Sequence, residues 1–140
     1  MKYLFIAALL GFGVVVINGM TEKQLVAAVK VVRNVCQPKS KATDEDITKM
    51  HEGNWDIAHS AMCYMYCSLN MYKLMSKDNS LNYEGAVAQL KLLPDRYRAS
   101  SEKCINQCKE SAITVEDKCI AGYEIAKCIY YCSPDDYYFP

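Results

Sequence analysis

The residues in this chain that could do chemistry are few, and most of them are sulfur. There are eight cysteines, at 36, 63, 67, 104, 108, 119, 128 and 132, and two histidines, His51 and His59. Eight thiols could hold metal, run redox chemistry or pair as disulfides. The count is even, and all lie downstream of a leader-like segment, which argues for disulfides formed in an oxidising compartment. The histidines fall on separate predicted helices and belong to no HxxxH or HExxH motif. Asp56, His59 and Ser60 resemble a hydrolytic fragment, but neighbours on one helix seldom make a triad, and a surface helical pair is the simpler reading. There is no glycine-rich phosphate loop. The Cys-Cys-x-x-His helix of secreted phospholipases is absent, as are the Cys-Cys and Cys-x-Cys patterns of plant lipid-transfer proteins. We therefore expect no catalytic residue, no metal site and no cofactor.

The elements that position these residues begin after a processing signal. Lys2, an apolar run from Leu4 to Ile17 and small Gly19 read as a secretory signal peptide over residues 1–19. The run of about 14 residues is too short for an ordinary membrane span. Residues 20–140 then form one helical domain. The chain carries 16 basic and 16 acidic residues, so no global field recruits nucleic acid or anionic lipid.

Helix signals dominate that domain. Thr21 to Gln24 is a capping box ahead of Leu25, Val29, Val32 and Val35. Thr43 opens a second helix towards Met50, closed by Gly53. A third is expected from about Asp56 to Met75, and a fourth from Asn82 to Leu92, stopped by Pro94. A fifth runs from Pro94 and Asp95 to about Lys109, and a sixth from a Thr114–Asp117 cap to Cys132. No confident strand is found. The expected class is all-α: a compact six-helix, disulfide-stapled domain around a hydrophobic cavity.

Cysteine spacing sharpens this. Cys63 and Cys67 share one helix face. Cys119 and Cys128 are separated by about 900° of rotation and face opposite sides, so their helix must be stapled to two neighbours. Eight cysteines allow 105 pairings, and spacing alone does not choose among them. With Cys104 and Cys132 set aside, however, the gaps of 26, 3, 40, 10 and 8 residues resemble those of insect pheromone- and general-odorant-binding proteins. The segments Met62–Cys67 and Cys119–Cys128, and Pro134 six residues after the latter, are typical of that family. The start and the tail look most like its alcohol- and pheromone-binding branch in flies and mosquitoes. The resemblance implies bridges Cys36–Cys67, Cys63–Cys119 and Cys108–Cys128. In an antiparallel helix pair, facing positions share one sum of residue numbers. Cys104 with Cys132 has the same sum as Cys108 with Cys128, which fits a fourth bridge; two leftover thiols are the alternative.

The side chains that remain suit a cavity. Met62, Met65, Met71 and Met75 crowd the third helix, and methionine adapts to irregular spaces and varied ligands. Any one of them alone reads as ordinary core. Disulfides can hold together a domain whose centre is not filled. A ligand burying about ten CH2 groups would gain roughly 8 kcal/mol before association costs, which points to micromolar binding. Tyrosine hydroxyls could bond an alcohol, aldehyde or ester head group. By position, the resemblance implies that Tyr137, Tyr138 and Phe139 fold back as a cavity wall, with Ala126 and Ile129 lining it. Disorder or a dimer contact is the alternative for that tail. Ala86, Val87 and Leu90 are a weaker carry-over, and Met65, Leu69, Tyr72 and Tyr123 complete the expected ligand-binding set. The implied function is a secreted carrier of small hydrophobic molecules, in sensillar lymph or another body fluid, delivering odorants or pheromones to a membrane chemoreceptor. It would act as a monomer or weak homodimer. A scavenger or interaction protein of saliva or reproductive fluid is the rival.

Overall fold

The computed structural model describes residues 19–140. The leader expected over residues 1–19 therefore lies, but for Gly19, outside the described residues. Six helices follow: α1 (Glu22–Ser40), α2 (Asp44–His51), α3 (His59–Met71), α4 (Tyr83–Leu90), α5 (Asp95–Cys108) and α6 (Lys118–Cys132). A single 3-10 turn, Pro134–Asp136, leads into the C-terminal tail.

Local chemistry sets most of the boundaries. At α1 the Gln24 N–H donates to Thr21 Oγ1 at 3.1 Å, and the Thr21 N–H donates to Gln24 Oε1 at 2.9 Å. This reciprocal cap satisfies two otherwise orphaned donors. Thr43 and Asn82 cap α2 and α4 in the same manner, each with one side-chain oxygen.

Helices α3 and α6 show how the structure refines the expected boundaries. Helix α3 is shorter at both ends than the span Asp56–Met75. At its start, Asn54 Oδ1 takes the Asp56 N–H at 3.0 Å and Asp46 Oδ2 takes the Ala58 N–H at 3.2 Å. These bonds hold an extended approach that buries Trp55 and Ile57. At its end, Met75 pairs with Leu81 in an isolated antiparallel bridge, because Ser76 to Ser80 turn back on themselves. Helix α6 starts at Lys118 with Asp117 as its cap: the Asp117 Oδ1 accepts from the N–H groups of Cys119 at 2.8 Å and Ile120 at 3.1 Å. Asp117 is the last residue of the expected Thr114–Asp117 cap; Thr114, its first, is engaged by Glu124, whose carboxylate accepts from the backbone of Ile113 and Thr114 and from Thr114 Oγ1.

Helices α3 and α6 form the axis of the domain and make its most extensive helix–helix contact. Gly122 permits their close approach: a Cβ there would sit 2.7 Å from Tyr66 Cα, inside the hard-sphere limit. Four disulfides tie the neighbours to this axis. Cys36–Cys67 joins α1 to α3, and Cys63–Cys119 joins α3 to α6. Cys108–Cys128 and Cys104–Cys132 both join α5 to α6, and no described cysteine is free. The opposite faces of α6 are thus stapled to two different partners, and the register argument for the fourth bridge holds. Helices α2 and α4 carry no cysteine. No described helix is long and apolar enough to cross a membrane.

Candidate ligand cavity

Beside this axis the chain leaves a hollow of about 170 Å³. One wall comes from Leu25 and Ala28 in α1, a second from Ala86 and Leu90 in α4, and a third from Ser101 and Ile105 in α5. Ile129 of α6 forms the floor, and the tail closes it. The lining is overwhelmingly apolar, and Asp136 is the one charged side chain among the described residues that form it. Such a space stays dry when empty and gains by being filled with an apolar molecule.

The tail is fixed by aromatic packing rather than by charge. Phe139 is 5% exposed. The Tyr137 ring lies edge-on to Tyr130 and Phe139, with centroids 5.2 Å away in each case. Tyr138 meets the Tyr97 ring at 5.4 Å and shares a hydrogen bond with Ser101 Oγ at 3.3 Å. Trp55 packs edge-on against Tyr137, Tyr130 and Tyr123. Each such pair adds a modest, geometry-dependent gain to the area buried. Asp135 and Asp136, next to this segment, form no ion pair within the described residues. The nearest bond is a long one of 3.5 Å from Ser133 Oγ to Asp136 Oδ2.

Of the twelve residues expected to line a cavity, the structure brings Tyr72, Ala86, Leu90, Ile129, Tyr137, Tyr138 and Phe139 together on its walls. Met65, Leu69 and Ala126 are 0% exposed and pack in the solid core behind it. Tyr123 is turned away, donating its hydroxyl to the Trp55 carbonyl at 3.1 Å. Val87 points outward, 42% exposed. The contributions of α1 and α5 were missed. Helix α5 is strongly polar and offers little apolar signal. Its lining residues are nonetheless legible in retrospect: Ser100 and Ser101 lie three to four residues before Cys104, on the face the disulfides turn inward.

Polar satisfaction within the site is uneven. The hydroxyls of Tyr64, Tyr72 and Tyr137 and the indole N–H of Trp55 are buried without a hydrogen-bond partner. Burial pushes the phenol pKa of all three tyrosines upward, and they are electrostatic neighbours of one another.

The other chemistry-bearing cluster is structural. His59 Nε2 lies 2.9 Å from Asp117 Oδ2, a contact that lowers the Asp117 pKa. Asp56 has no part in it and Ser60 is not its partner. Cys63 Sγ lies 3.7 Å from His59 Nδ1, but both sulfurs beside this imidazole are committed to the Cys63–Cys119 bridge. A disulfide offers no thiolate to a metal.

Six helices, four of them stapled by disulfides, around an apolar cavity covered by the C-terminal segment define a helical binding protein for small hydrophobic molecules. The chain belongs to the PBP/GOBP family, which it matches over residues 18–131. General odorant-binding protein 72 of Anopheles gambiae is 30% identical over 116 residues, spanning 82% of this chain and 95% of that protein. Odorant Binding Protein 4 of the predator Chrysopa pallens superimposes with a TM-score of 0.81 at 37% identity, covering 86% of this chain and 99% of that one. Odorant Binding Protein 7 from Anopheles gambiae, which has four disulfide bridges, shares the fold with a TM-score of 0.67 at 20% identity, over 80% and 88% of the two chains. Members of this family are carriers, not enzymes.

Proposed function

We propose that this protein is a secreted carrier that takes up odorant- or pheromone-like molecules in the cavity between α1, α4, α5 and the tail and delivers them to a membrane receptor. The observation that supports this reading is the apolar hollow, with Tyr137, Tyr138 and Phe139 of the tail forming one of its walls. Its volume of about 170 Å³ exceeds the roughly 150 Å³ of an engineered cavity that takes up benzene. Displacement of an environment-sensitive fluorescent probe by medium-chain alcohols, ketones, esters and alkanes tests the proposal. Micromolar displacement supports it. A protein that takes up neither probe nor any competitor is not a carrier of such molecules.

A further inference from the structure

Six of the eight bridged cysteines lie within the last five residues of their helices: Cys36 in α1, Cys67 in α3, Cys104 and Cys108 in α5, Cys128 and Cys132 in α6. Cys63 and Cys119 do not. Cys63 is the fifth residue of α3 and Cys119 the second of α6, and the two are bonded to each other. A thiolate is disfavoured beside the carbonyl-rich end of a helix and favoured in the first turn, where the N–H groups and the dipole are positive. In each bridge one cysteine is buried and its partner half-buried, so access does not separate the four; position along the helices does. A second observation singles out the same bridge. His59 sets Nδ1 3.7 Å from Cys63 Sγ, and an imidazole nitrogen and both sulfurs lie within 4.8 Å of one another. The His59 side chain is more than half exposed, and its Nε2 stands 2.9 Å from Asp117 Oδ2. The Cys36 sulfur, by contrast, has beside it the Met71 thioether, which neither gives nor takes a proton.

At rest this cluster is structural, but the same geometry suits thiol–disulfide exchange. We propose that the Cys63–Cys119 bridge is an exchange site for small thiols, opened with the help of His59, while the other three bridges are inert staples. With Nε2–H donated to the Asp117 carboxylate, Nδ1 is left as the acceptor on the side of the bridge. It takes the proton of an incoming thiol. The thiolate attacks the half-buried Cys63 sulfur, the bond to Cys119 breaks, and its electron pair leaves on Cys119 Sγ. The imidazolium, paired with Asp117, then gives its proton to Cys119. One thiol is consumed, one mixed disulfide forms on Cys63 and one thiol appears on Cys119, with no further oxidant or reductant. The leaving sulfur belongs to the first turn of α6, where a departing thiolate is best stabilised. Packing between α3 and α6 holds the helices together once the bridge is open, so exchange does not require the chain to unfold. None of these residues lines the cavity, and the site is independent of the carrier reading.

The test uses the other three bridges as internal controls. Unreduced protein is incubated with excess glutathione at pH 7, quenched in acid at intervals, alkylated and mapped by mass spectrometry. The expected product carries glutathione on Cys63 and the alkyl label on Cys119, and it forms at least about tenfold faster than any change at the other bridges. In His59→Gln, with helical circular dichroism retained, that step slows about tenfold while the other three bridges open at their original rates. Four results overturn the proposal: another bridge exchanging first, all four opening together, glutathione attached to Cys119 instead of Cys63, or an unchanged rate in His59→Gln. The first three are read on the parent protein alone, so they decide the matter even if the variant does not fold. Probe displacement measured on the same parent protein before exchange reports on the carrier reading separately.

Discussion

The α3–α6 axis and the α4–tail side of the cavity are built on opposite terms. Along the axis, Tyr64, Met65, Leu69, Ile125 and Ala126 are all 0% exposed, two helices meet across a glycine, and every staple ends on α3 or α6. Around the cavity, α4 carries no cysteine, the tail is held by ring edges, and buried hydroxyls lack partners. The difference teaches where stability and function reside. Four covalent links on one side allow the other side to stay hollow, incompletely bonded and movable.

The comparison breaks most sharply at Gly122. In Gly122→Val the branched side chain meets the Tyr66 backbone, which has no rotamer by which to yield. We expect a loss of about 3 kcal/mol or more, beyond ordinary overpacking, read as a large drop in the thermal midpoint or a failure to fold. A variant that melts with the parent would show that α3 and α6 do not meet so closely.

Next is the fourth bridge. Cys104→Ser with Cys132→Ser should lower stability by about 2–4 kcal/mol in denaturant titration, because the loop it closes spans 28 residues. Peptide mapping of the unreduced protein should recover the four pairs; two titratable thiols per unfolded chain would refute the pairing.

On the cavity side, effects should fall on binding instead. Deleting Tyr137 to Pro140 removes one wall and exposes the hollow to water. Probe affinity should drop about tenfold while helical circular dichroism is retained. Ala126→Trp would blur this contrast, since Ala126 sits in the solid core and a tryptophan there strains the axis. Leu90→Trp, on the cavity wall, fills space the ligand needs and should weaken binding with a smaller change in stability.

Much of the axis is legible in the sequence because its determinants are local or discrete. Capping boxes, prolines and cysteine spacing act over a few residues, and a disulfide register is arithmetic. The cavity is less legible because a void is defined by what several elements fail to fill. Met65, Leu69 and Ala126 have the same composition whether they face a hollow or a packed neighbour, and only the crossing of α3 with α6 decides. Polar α5 contributes a wall through two serines and one isoleucine, which no hydrophobic pattern reveals. The start of α6 shows the same limit in miniature: Thr114 has the right identity for a cap, but Glu124, ten residues on, claims it first.

The smallest expected effect concerns acid and the tail. Along the chain Asp135 and Asp136 adjoin the tail, whereas His51 is remote from it. In the structure His51 stands against the tail, its ring 5.8 Å from that of Tyr137 and edge-on to it. Burial is the largest influence on the imidazole and holds its pKa below the ordinary value; the Pro140 backbone, as a hydrogen-bond partner, opposes this, and the Arg33 charge adds to the depression. A depressed folded pKa means that the unfolded or undocked chain takes the proton first. The stability of the contact is therefore complete above about pH 6.5 and is lost as pH falls towards the lower folded value. Binding should weaken modestly between about pH 7 and 5, and His51→Gln should flatten that step, while Asp135→Asn with Asp136→Asn leaves it in place. If the histidine variant keeps the full acid dependence and the double asparagine variant loses it, the carboxylates hold the tail, and packing of Tyr137 on His51 is incidental.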